Sequence, residues 1–202
     1  MLIGLHGQAG SGKDTVFERA IKVSAAGRDL QRISFADAIK RSTASLFDIS
    51  VEEINNIKNE AWLELYIPDR GNDDSGATLV TAQSFRQFLQ RYGTEAHRDL
   101  FGDNFWLNIA LPLDMNHGNR VVFVTDVRFE NEADRITNLG GEIWHVIGPD
   151  DNPDPTHDSE KMLPARYIDV TIDNRERGDN FNSLDRKIHR LLSPLKNQAW
   201  EV

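Results

Sequence analysis

The 202-residue chain carries 23 basic and 32 acidic side chains, a formal charge of −9 with histidine neutral, and is 39% hydrophobic and 27% charged. That composition supports one globular domain with room for an inserted subdomain and excludes a wholly disordered chain. The acidic balance excludes a protein whose main work is coating a nucleic-acid polymer, which needs clustered Lys and Arg to displace counterions; the absence of cysteine excludes disulfides and thiolate metal sites. The longest apolar runs, such as Val121 to Val124, are far shorter than a bilayer span, which predicts a soluble, unexported, cytoplasmic protein without membrane partners. The six histidines never fall at i, i+4 spacing, so no structural zinc site is expected.

In chain order, Met1 to His6 reads as a strand broken at Gly7, and Lys13 to Ala26 as a helix with Val16, Ala20 and Val23 or Ala25 inward. Gln31 to Phe35 reads as a second strand, followed by helices over Ala36 to Phe47 and Val51 to Lys58. The turn-forming residues of Pro68 to Gly76 predict an exposed loop. Ala82 to Tyr92 reads as a helix whose buried face is Phe85, Phe88, Leu89 and Tyr92. Arg86, Gln90 and Gly93 lie on a second stripe, about a quarter turn away at ~100° per residue, where polar groups would border a cleft.

Val121 to Thr125 is apolar and β-branched, as expected of a central strand buried on both faces, and it ends in Asp126. Phe129 to Leu139 reads as a helix closed by Gly140 and Gly141, and Glu142 to Ile147 as the next strand. Asp150 to Asp158 is expected to be a loop, Ile168 to Ile172 a last strand, and Phe181 to Leu192 a last helix with Leu184, Ile188, Leu191 and Leu192 inward. Alternating strands and helices predict a parallel α/β sheet with ligands at the carboxyl ends of its strands. No internal repeat is present.

Gly7 to Lys13 (GQAGSGK) satisfies G-x-x-x-x-G-K directly after a predicted strand and at the start of a helix. Such a loop turns the backbone N–H groups of Gly10, Ser11 and Gly12 toward phosphates, while the helix N-terminus adds positive potential and Lys13 a cation. Asp14 stands where a hydroxyl is usual, and the hydroxyl comes one place later at Thr15. Mg²⁺ prefers hard oxygen ligands, so Asp14 suits the metal directly or through water, with Thr15 reaching a phosphate oxygen. A first-turn carboxylate also complements the helix dipole, and the two roles are compatible. Asp126, at the end of the buried strand, is placed to orient Mg²⁺ or accept a proton. Arg128 and Glu132 gather with it at the sheet's mouth; the alternative is an Arg128–Glu132 surface pair.

Four strings in order, Ile33 to Asp37, Gly93 to Ala96 with Arg98, Asp126 to Glu132 (DVRFENE) and His157 to Glu160 (HDSE), resemble those of the bacteriophage deoxynucleoside monophosphate kinases. The resemblance runs from Gly12-Lys13-Asp14-Thr15 to about Asn174. It implies a P-loop kinase-like parallel sheet flanked by helices, a mostly helical monophosphate-binding insert near residues 36–115 and a small lid near 128–165. It implies transfer of the γ-phosphoryl of ATP, with Mg²⁺, to a deoxynucleoside monophosphate, in the host cytoplasm if the source is viral. By matching position it implies phosphate-loop roles for Ser11, Lys13, Asp14 and Thr15, acceptor contacts at Arg86, Gln90, Thr94, Trp106 and Arg128, and further active-site roles at Asp126, Arg128 and Glu132.

Tryptophan inside an apolar run, as in Phe105-Trp106-Leu107, is more often core than ligand platform; the positional match is what assigns Trp106 to the acceptor. The family often has a basic residue after the strand ending near Ile147, where this chain has Gly148-Pro149-Asp150, leaving Arg135 or Arg166 as substitutes in the lid. Ser159 and Glu160 suit a short helix cap. The rival readings are another small-molecule P-loop kinase, such as one acting on dephospho-coenzyme A, and a nucleotide-binding switch that transfers nothing. Base preference is not legible, and homodimer formation is left open.

Overall fold

The computed structural model describes residues 1–24, 28–58, 61–68, 77–149, 162–175 and 181–193, with the backbone alone for 61–68 and 77–83. The expected loops at 69–76 and 150–158, the 159–160 cap and Ala25 therefore lie outside the described residues. The chain divides into two compact units, Met1–Phe35 with Leu111–Val202, and Ala36–Ala110.

The first unit is a five-stranded sheet flanked by helices. Strands β1 (Leu2–His6), β2 (Leu30–Ile33), β5 (Val121–Val127), β6 (Glu142–Ile147) and β7 (Val170–Asp173) lie in the order β2-β5-β1-β6-β7, and every pair is parallel. Helices α1 (Lys13–Val23), α7 (Glu130–Asn138) and α8 (Asn182–Leu192) supply the connections and covers expected of an α/β sheet. The core joins Ile3, Leu5, Val121, Phe123, Trp144, Val146 and Ile172 of the strands to Val16 and Ala20 of α1 and Leu184, Ile188 and Leu192 of α8. Arg19 of α1 pairs with Asp185 of α8, with Nε 2.6 Å from Oδ1, which fixes the crossing of those helices. Strand order reverses at β1, between β5 and β6, so the loop after β1 sits at the topological switch point where such sheets bind ligands.

The second unit holds α2 from Ala36 onward (Phe35–Phe47 in full), α3 (Val51–Ile57), an antiparallel hairpin of β3 (Ala61–Pro68) and β4 (Ala77–Ser84), and α4 (Phe85–Gly93). A π-helical turn, Thr94–Arg98, leads into the short helices α5 (Asp99–Phe101) and α6 (Phe105–Ala110). Ser50 and Glu53 cap α3 reciprocally, with Ser50 Oγ accepting from Glu53 N and Glu53 Oε2 from Ser50 N. The sequence reading has no counterpart to the hairpin, and Ala82 to Ser84, expected as helix, are its last strand residues. Ser84 is the cap: its Oγ accepts from Gln87 N at 3.2 Å, and the helix begins only at Phe85. Of the expected inward face Phe85 is buried, whereas Phe88, Leu89 and Tyr92 are half-buried. Among the described residues no helix is long and apolar enough to cross a membrane.

Candidate nucleotide site

The glycine loop is gripped from beneath by the ends of two strands. Gly12 adopts a left-handed backbone (φ +93°) as the N-cap of α1, and a Cβ there would lie 2.1 Å from Asn174 Nδ2. Asn174, 1% exposed, follows β7 and donates from that same nitrogen to Ser11 O at 2.9 Å. Gly148, after β6, lets Ser11 approach: a Cβ on it would meet Ser11 Cα at 2.4 Å. Gly148, the first residue of the Gly148-Pro149-Asp150 stretch where the family often has a basic residue, therefore has a packing reason. Gly12 offers no side chain to cap α1, which leaves the leading N–H groups of the helix to an anion.

Lys13 is half-buried and its Nζ donates to Gly7 O at 2.6 Å and Gln8 O at 2.7 Å, so the cation is held within the loop. Gly10 lies in the left-handed region with open space around it. Ser11 is 2% exposed and its buried Oγ makes no hydrogen bond. Asp14 is exposed, with Oδ1 3.7 Å from Arg32 Nε; Thr15 is half-buried.

At the end of β5 the carboxylate of Asp126 accepts from Ser34 Oγ at 2.7 Å and from Phe35 N at 2.9 Å, tying the strand to the first residue of α2. Glu132 is 2% exposed, and its Oε2 accepts from Arg128 N at 2.7 Å and Phe129 N at 3.1 Å. It is thus a buried cap of α7. Arg128 is half-buried one residue beyond the strand. Among the described residues no group of three or more His, Asp or Glu side chains forms a metal cage. Mg²⁺ is usually held by one or two carboxylates together with substrate phosphates. Asp14, exposed beside the loop, offers such a carboxylate, while Asp126 already accepts two hydrogen bonds and suits contact through water.

His6, absent from the sequence-derived set, lies beneath this mouth. It is 4% exposed; Nδ1 lies 3.0 Å from Val127 O, and Nε2 accepts from Leu163 N at 3.1 Å. Burial pushes the imidazole below its ordinary pKa; the bond to Val127 opposes this, and His145, Lys13 and Arg128 add to the lowering. A histidine lowered in this way contributes stability in full above its unfolded value, ~6.5, and loses it as the pH falls through the folded value.

In the second unit Arg86, Gln90 and Thr94 are spaced by four and all exposed, forming one polar stripe along α4 into the π turn. Gly93, expected beside them, is buried: a Cβ there would meet Ile39 Cδ1 at 2.8 Å. Trp106, assigned to the acceptor by positional match, is interior in this structure. It is 2% exposed, its Nε1 donates to Gly93 O at 2.9 Å, and its ring packs against His97 (4.7 Å) and Phe105 (4.9 Å). The indole is thus covered by protein and packs beside the carbonyl that ends α4. Arg135 is also interior, donating to Leu111 O at 2.6 Å, and Arg166 pairs with Glu130.

Residues 72–188 match the family model described as deoxynucleotide monophosphate kinase. The chain is 30% identical over 195 residues to a protein of Acanthamoeba polyphaga mimivirus provisionally named a deoxynucleotide monophosphate kinase, covering 91% of this chain and 93% of the relative. It is similar to the deoxynucleoside-5'-monophosphate kinase of Escherichia phage T5, at 25% identity over 249 residues (96% of this chain, 98% of the relative). The deoxynucleotide monophosphate kinase of Enterobacteria phage T4 matches at 31% over 117 residues, 56% of this chain and 44% of the relative.

Proposed function

The chain belongs to the deoxynucleotide monophosphate kinase family, and from that premise we propose that its glycine loop holds the phosphates of ATP and its α4 stripe the deoxynucleoside monophosphate. The protein is an enzyme, a kinase with ATP as co-substrate. The observation that carries the site assignment is the loop at the strand-order reversal, where Gly12 opens the N-terminus of α1 and Lys13 supplies the cation.

An oxygen of the acceptor phosphate forms the new bond to the γ-phosphorus as the bond to the bridging β–γ oxygen breaks, giving the diphosphate and ADP. Little covalent chemistry falls to the protein, so its residues position and neutralise. Lys13 exchanges its loop carbonyls for phosphate oxygens, and the N–H groups of Gly10, Ser11 and Gly12 and the hydroxyl of Thr15 orient the chain of phosphates. Bound Mg²⁺ would neutralise phosphate charge, with Asp14, Thr15 and Asp126 holding it directly or through water. Arg128 offers a planar fork to the acceptor phosphate. Glu132 acts as a positioning residue, since it is buried and holds the backbone of Arg128.

The direct test is ADP formation with a panel of acceptors. Release that depends on added deoxynucleoside monophosphates, and not on dephospho-coenzyme A, is the expected result; release with no acceptor dependence would favour the switch reading. Arg86→Ala should raise acceptor KM by ~10- to 100-fold, the scale of losing a charge-assisted bond of about 1.5–3 kcal/mol, while leaving KM for ATP in place. An unchanged acceptor KM moves the acceptor site off α4. For the metal, Asp14→Asn should raise the Mg²⁺ needed for half-maximal activity by roughly tenfold or more, the scale of losing a supporting ligand. ATP binding measured without metal should not weaken. Equal Mg²⁺ requirements in mutant and wild type would leave Asp14 as a helix-end charge alone.

A further inference from the structure

We propose that His6 is a positioning residue for phosphoryl transfer, clamping the peptide unit between Val127 and Arg128 so that the end of β5 presents Asp126 and Arg128 to the glycine loop. The inference rests on the functional reading above. Its first support is a bulge. β1 and β5 pair Leu2 with Val122, Ile3 with Phe123 and Gly4 with Val124, but His6 pairs with Val127, so two steps on β1 match three on β5. The extra residue falls in the stretch that carries Asp126. Bulges interrupt the ladder and re-aim side chains, and something else must then fix the strand end.

That something is a pair of buried side chains acting on one peptide. A carbonyl only accepts, so His6 Nδ1 carries the proton and donates to Val127 O at 3.0 Å. Glu132 Oε2 accepts from Arg128 N at 2.7 Å. Val127 C=O and Arg128 N–H belong to the same planar unit, so it is held at both edges, by residues 4% and 2% exposed. The other ring nitrogen of His6 takes the N–H of Leu163 at 3.1 Å, which locks the neutral tautomer. His6 also immediately precedes Gly7, so the phosphate loop and the Arg128 backbone are referenced to one rigid ring.

The experiment separates the two ring contacts. In His6→Asn the short amide reaches where Nδ1 stood and keeps a donor toward Val127; in His6→Gln the longer amide reaches toward Leu163 and leaves the Val127 carbonyl without its donor. With ATP and a deoxynucleoside monophosphate, His6→Asn should retain kcat within a few-fold. His6→Gln should lose roughly ten- to hundredfold, the scale of a small misplacement of catalytic groups, although each variant keeps one bond and the two should melt alike. Equal kcat in the two variants, whether both normal or both low, overturns the clamp. The second measurement uses wild type: ring ¹⁵N shifts should report a neutral imidazole protonated at Nδ1, and an Nε2-protonated ring overturns the proposal even if both variants fail to fold. A wild type that forms no ADP on adding monophosphate would sink the functional reading, while the tautomer would still judge the clamp.

Discussion

Lys13→Ala is expected to lower kcat by ~10²–10³ at saturating ATP and deoxynucleoside monophosphate, the scale of removing one preorganised charge-stabilising donor from a transition state. The loss should fall on turnover more than on ATP affinity. Negative charge spreads over the oxygens of the transferring phosphoryl, and an interaction that strengthens there raises kcat without tightening the ground state in proportion. The structure also sets the cost to folding. Nζ donates to Gly7 O and Gln8 O, so alanine removes two internal bonds of the loop, about 1.5–3 kcal/mol each where one partner is charged. Because Lys13 is only half-buried, water can replace much of that, and the melting point should fall by only a few degrees. The check is steady-state kinetics beside a thermal melt. Near-wild-type kcat in a folded variant would remove Lys13 from the transfer step and with it the assignment of the loop.

The parts of the molecule legible in the sequence are those where one physical signal acts alone. Gly7 to Lys13 announces its loop because glycine spacing, a preceding apolar strand and a following helix are all local, and β6 falls on Glu142–Ile147 as the run between Gly141 and Gly148 requires. The hairpin is hidden because its pairing is not local: Ala61 faces Ser84 and Pro68 faces Ala77. Ala82 to Ser84 also continue plausibly into the helical period of Phe85 to Tyr92, so the pattern points to helix where strand pairing wins. The bulge leaves no trace either, since Val121 to Thr125 is apolar on both faces and offers no alternation whose phase could slip. Half of a capping box is visible as Glu132 three residues after Phe129, but without Ser or Thr at the cap it resembles an Arg128–Glu132 pair. A lone histidine at a strand end carries no pattern at all, and the role of His6 emerges only from the two partners the fold brings to its ring.

Trp106→Ala should destabilise the protein by ~3–5 kcal/mol, the range for deleting a buried large aromatic side chain. Its indole is 2% exposed, lies 4.7 Å from His97 and 4.9 Å from Phe105 between ring centroids, and is pinned by Nε1 donating to Gly93 O. Alanine leaves a void among aromatic groups and a carbonyl short of a donor at the point where α4 passes into the π turn. For a chain of this size a loss of that order lowers the melting point by ~6–20 °C. Thr94 stands one residue past that carbonyl, so the acceptor stripe should loosen with it, and KM for all accepted monophosphates should rise together below the melting point. Trp106→Phe keeps most of the ring packing and loses the Nε1 donor, and should fall between wild type and alanine in both measurements. That ordering distinguishes packing from stacking: a base platform would leave the melting point unchanged in the alanine variant while acceptor KM rose, and phenylalanine, which still offers a ring face, would bind acceptors almost as wild type does. An alanine variant that melts as wild type would therefore return Trp106 to the acceptor site and displace the packing role drawn from its burial.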